Sequence, residues 1–220
     1  DEEAVLARMA EGDIDFAVIT SPNNPTGKMA SETFLKKLLD SSDALIMVDE
    51  AYFEFSRFSM RPYLDQYENL VILRTFSKAF SLAGVRMGYL LANASVIREF
   101  LKVRQPYSVD SVSQAIATAV YRNRSLFVPG INQIIEQRGV LLEELGKMPG
   151  VTVFDSDSNY VLFRVADADE VWQELYERGV LIRDFSRSQY LENCLRVSVG
   201  SPEENQVFLD ALAEILNERS

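Results

Sequence analysis

Residues 75–89 read TFSKAFSLAGVRMGY, and what flanks that stretch decides the fold. Immediately before it lies LVILR, residues 70–74, a continuous apolar run closed by an arginine. Such a run matches a strand buried on both faces. Lys78 follows among small hydroxylated and apolar residues, and Arg86 comes eight positions later. Lysines ordinarily sit on solvated surface. A lysine just past the end of a buried strand therefore needs a chemical reason.

Working outward, the same pattern recurs. DFAVIT (15–20), ALIMVDEAY (44–52), NLVILRTF (69–76) and RMGYLLA (86–92) read as strands. SETFLKKLLD (31–40) reads as a helix, with Ser31 as N-cap and Phe34, Leu35, Leu38 and Leu39 on one face. Apolar strands separated by helices predict an α/β domain over residues 1–107, a mostly parallel sheet with helices on both faces. Beyond it, SVSQAIATAVYR and INQIIEQRGVLLEELGKM read as long helices without a strand between them. Strands VTVFD and NYVLFRV, helix ADEVWQELYERG, strands VLIRDF and CLRVSVG, and a last helix follow. Gly179 suits a helix C-terminus, and SPEE at 201–204 is a capping box. Residues 108–220 thus read as connecting helices and a smaller C-terminal α+β domain.

Composition narrows the chemistry. The 220 residues carry a net charge of −11, with 33 acidic against 22 basic side chains and no basic block, which excludes an ordinary nucleic-acid surface. No apolar run approaches membrane-spanning length. Histidine is absent, so Ser-His-Asp and Cys-His catalysis and histidine-based metal sites are excluded, and no metal site is expected. The lone Cys194, in an apolar run, reads as a buried small hydrophobe and is compatible with a reducing, cytoplasmic setting. The chain opens without methionine inside an apparent helix, so this reading expects further residues before Asp1.

In open α/β sheets, ligands gather beyond the carboxyl ends of parallel strands. Three such ends carry unusual residues: Asn24 within NNPTG, Asp49 and Tyr52 in VDEAY, and Thr75, Ser77 and Lys78. Singly, each has an ordinary reading. NNPTG suits a turn, Asp49 a helix cap, Tyr52 a half-buried core aromatic, Lys78 a solvated lysine, and Arg86 a surface ion pair. Together they match the needs of pyridoxal 5′-phosphate, which is held as a Schiff base on lysine with a carboxylate at its pyridine nitrogen. On that reading Asp49 keeps the nitrogen protonated, and Asn24 and Tyr52 hydrogen-bond the ring oxygen. Ser77 and Arg86 take the phosphate, and Lys78 is the covalent anchor and then the general base.

SPNNPTG, VDEAY and TFSKAFSLAGVRMGY resemble the motifs of the fold-type I, pyridoxal-phosphate-dependent aminotransferases, along essentially the whole chain. The resemblance is nearest to the branch acting on histidinol phosphate. It implies a cytoplasmic homodimer with an incomplete large domain here, the family having a further N-terminal segment before the position of Asp1. It also implies the cofactor roles just given, with Thr75 as an added phosphate contact. Arg183 and Arg196, each in an otherwise apolar strand, would bind the anionic groups of a phosphorylated amino alcohol and of 2-oxoglutarate or glutamate. A structural ion pair is the competing reading for both arginines. Asn159 would line the site, or merely cap a strand. Aromatic aminotransferases and threonine-phosphate decarboxylases share these motifs, and a non-catalytic fragment is the remaining alternative.

Overall fold

A computed structural model describes residues 1–219 of the chain. They divide into two compact units, one of residues 1–23 and 29–128, the other of residues 24–28 and 129–219. The sequence places the boundary at 107/108. In the structure α5 (Ser111–Arg122) goes with the first unit, where the ring of Phe127 meets Phe80 edge-on at 5.4 Å. Residues 24–28 join the second unit through local contacts. The Asp157 amide donates to the Gly27 carbonyl at 2.8 Å, and Gly27, at φ +78°, leaves no room for a Cβ beside Ser156.

The first unit begins with α1 (Glu2–Met9) and is built on β1 (Phe16–Thr20), β2 (Leu45–Asp49), β3 (Leu70–Thr75) and β4 (Gly88–Ala92), in that spatial order. The first three strands are parallel and β4 is antiparallel to β3. The chain returns from β3 to β4 without a crossover helix, which a parallel neighbour would require. Gly88 lies opposite Thr75 in that ladder, and a Cβ there would stand 2.8 Å from the Arg74 carbonyl oxygen.

Helix α2 (Glu32–Asp40) starts where the Ser31 hydroxyl accepts the Phe34 amide hydrogen at 3.1 Å. Its apolar stripe of Phe34, Leu35, Leu38 and Leu39 packs on Ile46, Val48, Leu70 and Ile72 from the sheet. Each of these fully buried aliphatic side chains contributes about 1.5–3 kcal/mol of transfer free energy. On the opposite face Val71 of β3 is fully buried, while Phe16 and Val18 of β1 remain 47% and 51% exposed. An unbroken apolar run reads the same whichever face is covered. A short α3 (Phe53–Ser56) follows β2, and α4 (Ala94–Val103), which buries no residue fully, follows β4.

In the second unit β5 (Thr152–Val153), β6 (Tyr160–Arg164), β8 (Cys194–Ser198) and β7 (Arg183–Asp184) form an antiparallel sheet in that order. Val161, Phe163, Leu195 and Val197 face a core supplied by α6 (Val128–Lys147), α7 (Ala168–Glu177) and α8 (Pro202–Glu218). The Ser201–Glu204 capping box is formed in full, and Cys194 is buried. By the two-residue period, Tyr160, Leu162, Cys194 and Arg196 point to the opposite face. No helix among the described residues is long and apolar enough to cross a membrane.

Candidate active site

In the first unit the pairing register sorts the strand ends onto two faces. Thr20 pairs with Asp49 and Asp49 with Leu73, so Asp49 and Thr75 share one face of the sheet. Asp49 ends β2 half-buried, and its Oδ1 accepts the Ala51 amide hydrogen at 3.0 Å. Burial pushes its carboxyl up from the usual aspartate range, while that amide bond and the positive charge of Lys78 pull it back. Tyr52, 5% exposed, occupies the cap position of α3. The Lys78 Nζ lies 5.4 Å from the centre of its ring. A carboxylate, a phenol ring and an exposed amine thus meet at adjacent strand ends.

Thr75 and Ser77 are tied into one turn. The Thr75 Oγ1 stands 2.9 Å from the Ser77 Oγ and accepts the Ser77 amide hydrogen at 3.1 Å. The next turn is closed by the Leu82 amide donating to the Phe76 carbonyl at 3.1 Å. Arg86 takes a left-handed conformation, at φ 57°, just past a short 3₁₀ turn. Its exposed guanidinium donates to the Ala83 carbonyl at 2.8 Å and, among the described residues, makes no hydrogen bond to Ser77. Ser77 and Arg86 lie in one segment without a hydrogen bond between them among the described residues.

The remaining candidates belong to the second unit. Arg196 and Arg183 are directly opposite in the β8–β7 ladder and therefore share a face. Two like charges in that position are unfavourable unless an anion joins them. Among the described residues no carboxylate comes within ion-pair distance of either one. Arg196 is half-buried, its guanidinium carbon 4.7 Å from the ring centre of Tyr160 and 5.5 Å from that of Phe185. Its Nε is buried without a hydrogen-bond partner. Arg183, although its run of sequence is otherwise apolar, is exposed, because its strand is two residues long and lies at the sheet edge.

Asn24 is brought to Arg196, whose Nη1 donates to the Asn24 Oδ1. A guanidinium offers only donors, so this contact turns the amide NH₂ of Asn24 away, toward any acceptor that arrives. Asn159 is half-buried, and its backbone carbonyl accepts the Val199 amide hydrogen at 2.9 Å. That backbone bond extends the pairing of β6 with β8 by one position.

Residues 1–212 match the family model described as Aminotransferase class I and II. The chain belongs to that family. Members of this family use pyridoxal phosphate. A histidinol-phosphate aminotransferase of Thermoanaerobacter sp. (strain X514) is 43% identical over 198 residues, which are 90% of this chain and 56% of that protein. The crystal structure of the histidinol-phosphate aminotransferase from Clostridium acetobutylicum superposes with a TM-score of 0.90 at 25% identity, covering 99% of this chain and 68% of that one. The Sinorhizobium meliloti enzyme, solved in complex with pyridoxal-5′-phosphate, shares the fold at a TM-score of 0.88 and 24% identity over 100% of this chain and 62% of its own. The chain spans less than two thirds of the length of the curated relatives it matches.

Sequence reasoning passed over Glu54, two residues beyond Tyr52. Burial pushes its carboxyl up to about 7, and the nearby Glu50 carboxylate adds to the rise, while Arg74 opposes it. In the unfolded chain the same group ionises near 4.5. Between these values the folded state holds a proton that the unfolded state has lost, so this contribution to stability is complete below the lower pKa and fades as pH rises through the upper one. Glu54→Gln should therefore gain about 2 kcal/mol of stability relative to the wild type on going from pH 5 to pH 8. Urea unfolding at both pH values checks this, and a pH-independent difference would contradict it.

Proposed function

We propose that the protein transfers the amino group of histidinol phosphate to 2-oxoglutarate with pyridoxal 5′-phosphate as cofactor, as a cytoplasmic homodimer. One observation carries the reading: Asp49, Tyr52 and Lys78 meet at the carboxyl ends of adjacent parallel strands, with the Thr75–Ser77 hydroxyl turn beside them. This donor set fits the cofactor. It offers a carboxylate for a ring nitrogen, a phenol for a ring oxygen, an amine for a covalent link, and hydroxyls with the Arg86 guanidinium for a phosphate.

When bound, pyridoxal phosphate supplies the electron sink for the carbon that bears the substrate's amine. The half-buried Asp49 carboxylate, already raised by desolvation, gains most from a cation and so holds a proton on the ring nitrogen. The Lys78 amine would anchor the cofactor and, when free, would hold or move the proton at the substrate carbon. The Asn24 amide hydrogens and the Tyr52 hydroxyl are assigned to the ring oxygen. Arg196, near two aromatic rings, and Arg183 opposite it are assigned to the anionic groups of the phosphorylated amine and of the dicarboxylate.

Incubation with pyridoxal phosphate, borohydride reduction and peptide mapping should place the pyridoxyl group on Lys78. In a separate, unreduced sample with pyridoxal phosphate, added histidinol phosphate should support glutamate formation from 2-oxoglutarate. A label on Lys28 or Lys102 instead would overturn the site. Carbon dioxide release from threonine phosphate without glutamate formation would move the substrate to the decarboxylase reading.

A further inference from the structure

The two-residue alternation that puts Asp49 and Thr75 on one face of the sheet puts their chain neighbours, Glu50 and Arg74, on the other. There they form a buried ion pair, 2% and 9% exposed. The Arg74 Nε and Nη2 donate to the Glu50 Oε2 at 3.0 and 2.9 Å. Glu50 also accepts from the Ser59 hydroxyl and, at 2.7 Å, from the Met60 amide. The Arg74 Nη2 reaches the Ser59 Oγ at 2.7 Å, and its guanidinium carbon stacks 3.6 Å from the centre of the Phe53 ring. The Glu50 amide continues the ladder to the Leu73 carbonyl at 2.8 Å.

A buried pair of this kind is a weak source of stability, because desolvating two charges offsets most of their attraction, and well-packed apolar residues often do as well. What it supplies is geometry. Glu50 adjoins Asp49 and Phe53 adjoins Tyr52, so the guanidinium of Arg74, itself the neighbour of Thr75, touches the chain neighbours of two further candidate site residues. Its bonds to the carboxylate are directional, and a guanidinium's planar fork tolerates little rotation.

We propose that Glu50, Arg74 and Ser59 are positioning residues that clamp the Asp49–Tyr52 turn against the Thr75–Lys78 turn and fix the separation of the carboxylate and the amine. This rests on the cofactor reading above for its consequence, though not for the clamp itself. Loss of the Glu50 charge frees Arg74 to seek other partners, and the segment from Thr75 to Leu82 loses its fixed start.

The test uses the purified protein and its Glu50→Gln, Arg74→Lys and Ser59→Ala variants. Without cofactor, hydrogen exchange is compared between residues 75–82 and helix α2. With pyridoxal phosphate, its dissociation constant and the pH midpoint of its absorbance change are measured. For Glu50→Gln and Arg74→Lys, exchange in 75–82 should rise about tenfold more than in α2. Cofactor affinity should fall about tenfold and the absorbance midpoint should move by about half a pH unit. Ser59→Ala keeps the charge pair and should show the same pattern at about threefold, which decides the matter if the charge variants do not fold. Equal acceleration in both segments, with affinity and midpoint unchanged, would make the cluster merely structural and overturn the proposal. If the wild type takes up no cofactor, the functional reading fails, while the exchange comparison still decides the clamp.

Discussion

Replacing Asp49 by asparagine is expected to lower the transamination rate by about 10²–10³-fold while cofactor is still bound, the range seen when one preorganised electrostatic partner is removed. The amide has the shape of the carboxylate, and its oxygen can keep the bond that Oδ1 accepts from Ala51. What it lacks is the charge that holds a proton on a ring nitrogen. The covalent anchor, Lys78, is untouched. Stability distinguishes this outcome from simple damage. Burial raises the Asp49 carboxyl, so in the cofactor-free protein its ionised form is a cost that appears as pH rises past the unfolded value. Asp49→Asn should therefore unfold at the same temperature as the wild type, or a higher one, at pH 8. A rate within a few-fold of wild type would remove Asp49 from its role, and a collapsed melting temperature would show that its structural bond dominates.

The candidate site residues could be picked out as candidates because of where they stand in the sequence. Asp49, Tyr52, Ser77 and Lys78 stand at the ends of apolar runs, where local sequence carries both the strand and the unusual side chain. The same locality made Ser31, Ser201 and Gly179 readable, since a cap or a left-handed turn is decided within a few residues. Contacts across long separations were not readable. Glu50 and Arg74, separated by 24 positions, gave no local sign of pairing. Arg183 sits in a run that reads as a buried strand, yet the ladder is only two residues long there, and nothing local sets where a ladder stops. The antiparallel β4 and the joining of residues 24–28 to the second unit are likewise products of tertiary packing.

Arg196→Lys is the sharper test of the second unit, because charge is conserved and everything else changes. The guanidinium lies near the rings of Tyr160 and Phe185, bonds Asn24, and is opposite Arg183 in the ladder, and among the described residues no carboxylate pairs with either. An ammonium on a flexible stem cannot stack on two rings or present two parallel donors to a carboxylate or phosphate. If Arg196 clamps the substrate's anionic group, breaking that desolvated contact costs about 2–5 kcal/mol, a loss of roughly 30-fold to several thousand-fold in kcat/KM. The loss should be seen with both histidinol phosphate and 2-oxoglutarate, since each presents an anion to the same guanidinium. Cofactor absorbance should be preserved, because no cofactor-anchoring group has changed. The Asn24 amide, no longer held by its oxygen, is the one path by which the cofactor environment would feel the substitution, and Asn24→Ala in parallel isolates that path. Unchanged kinetics with both substrates would return Arg196 to a packing role, its charge balanced by the aromatic faces alone.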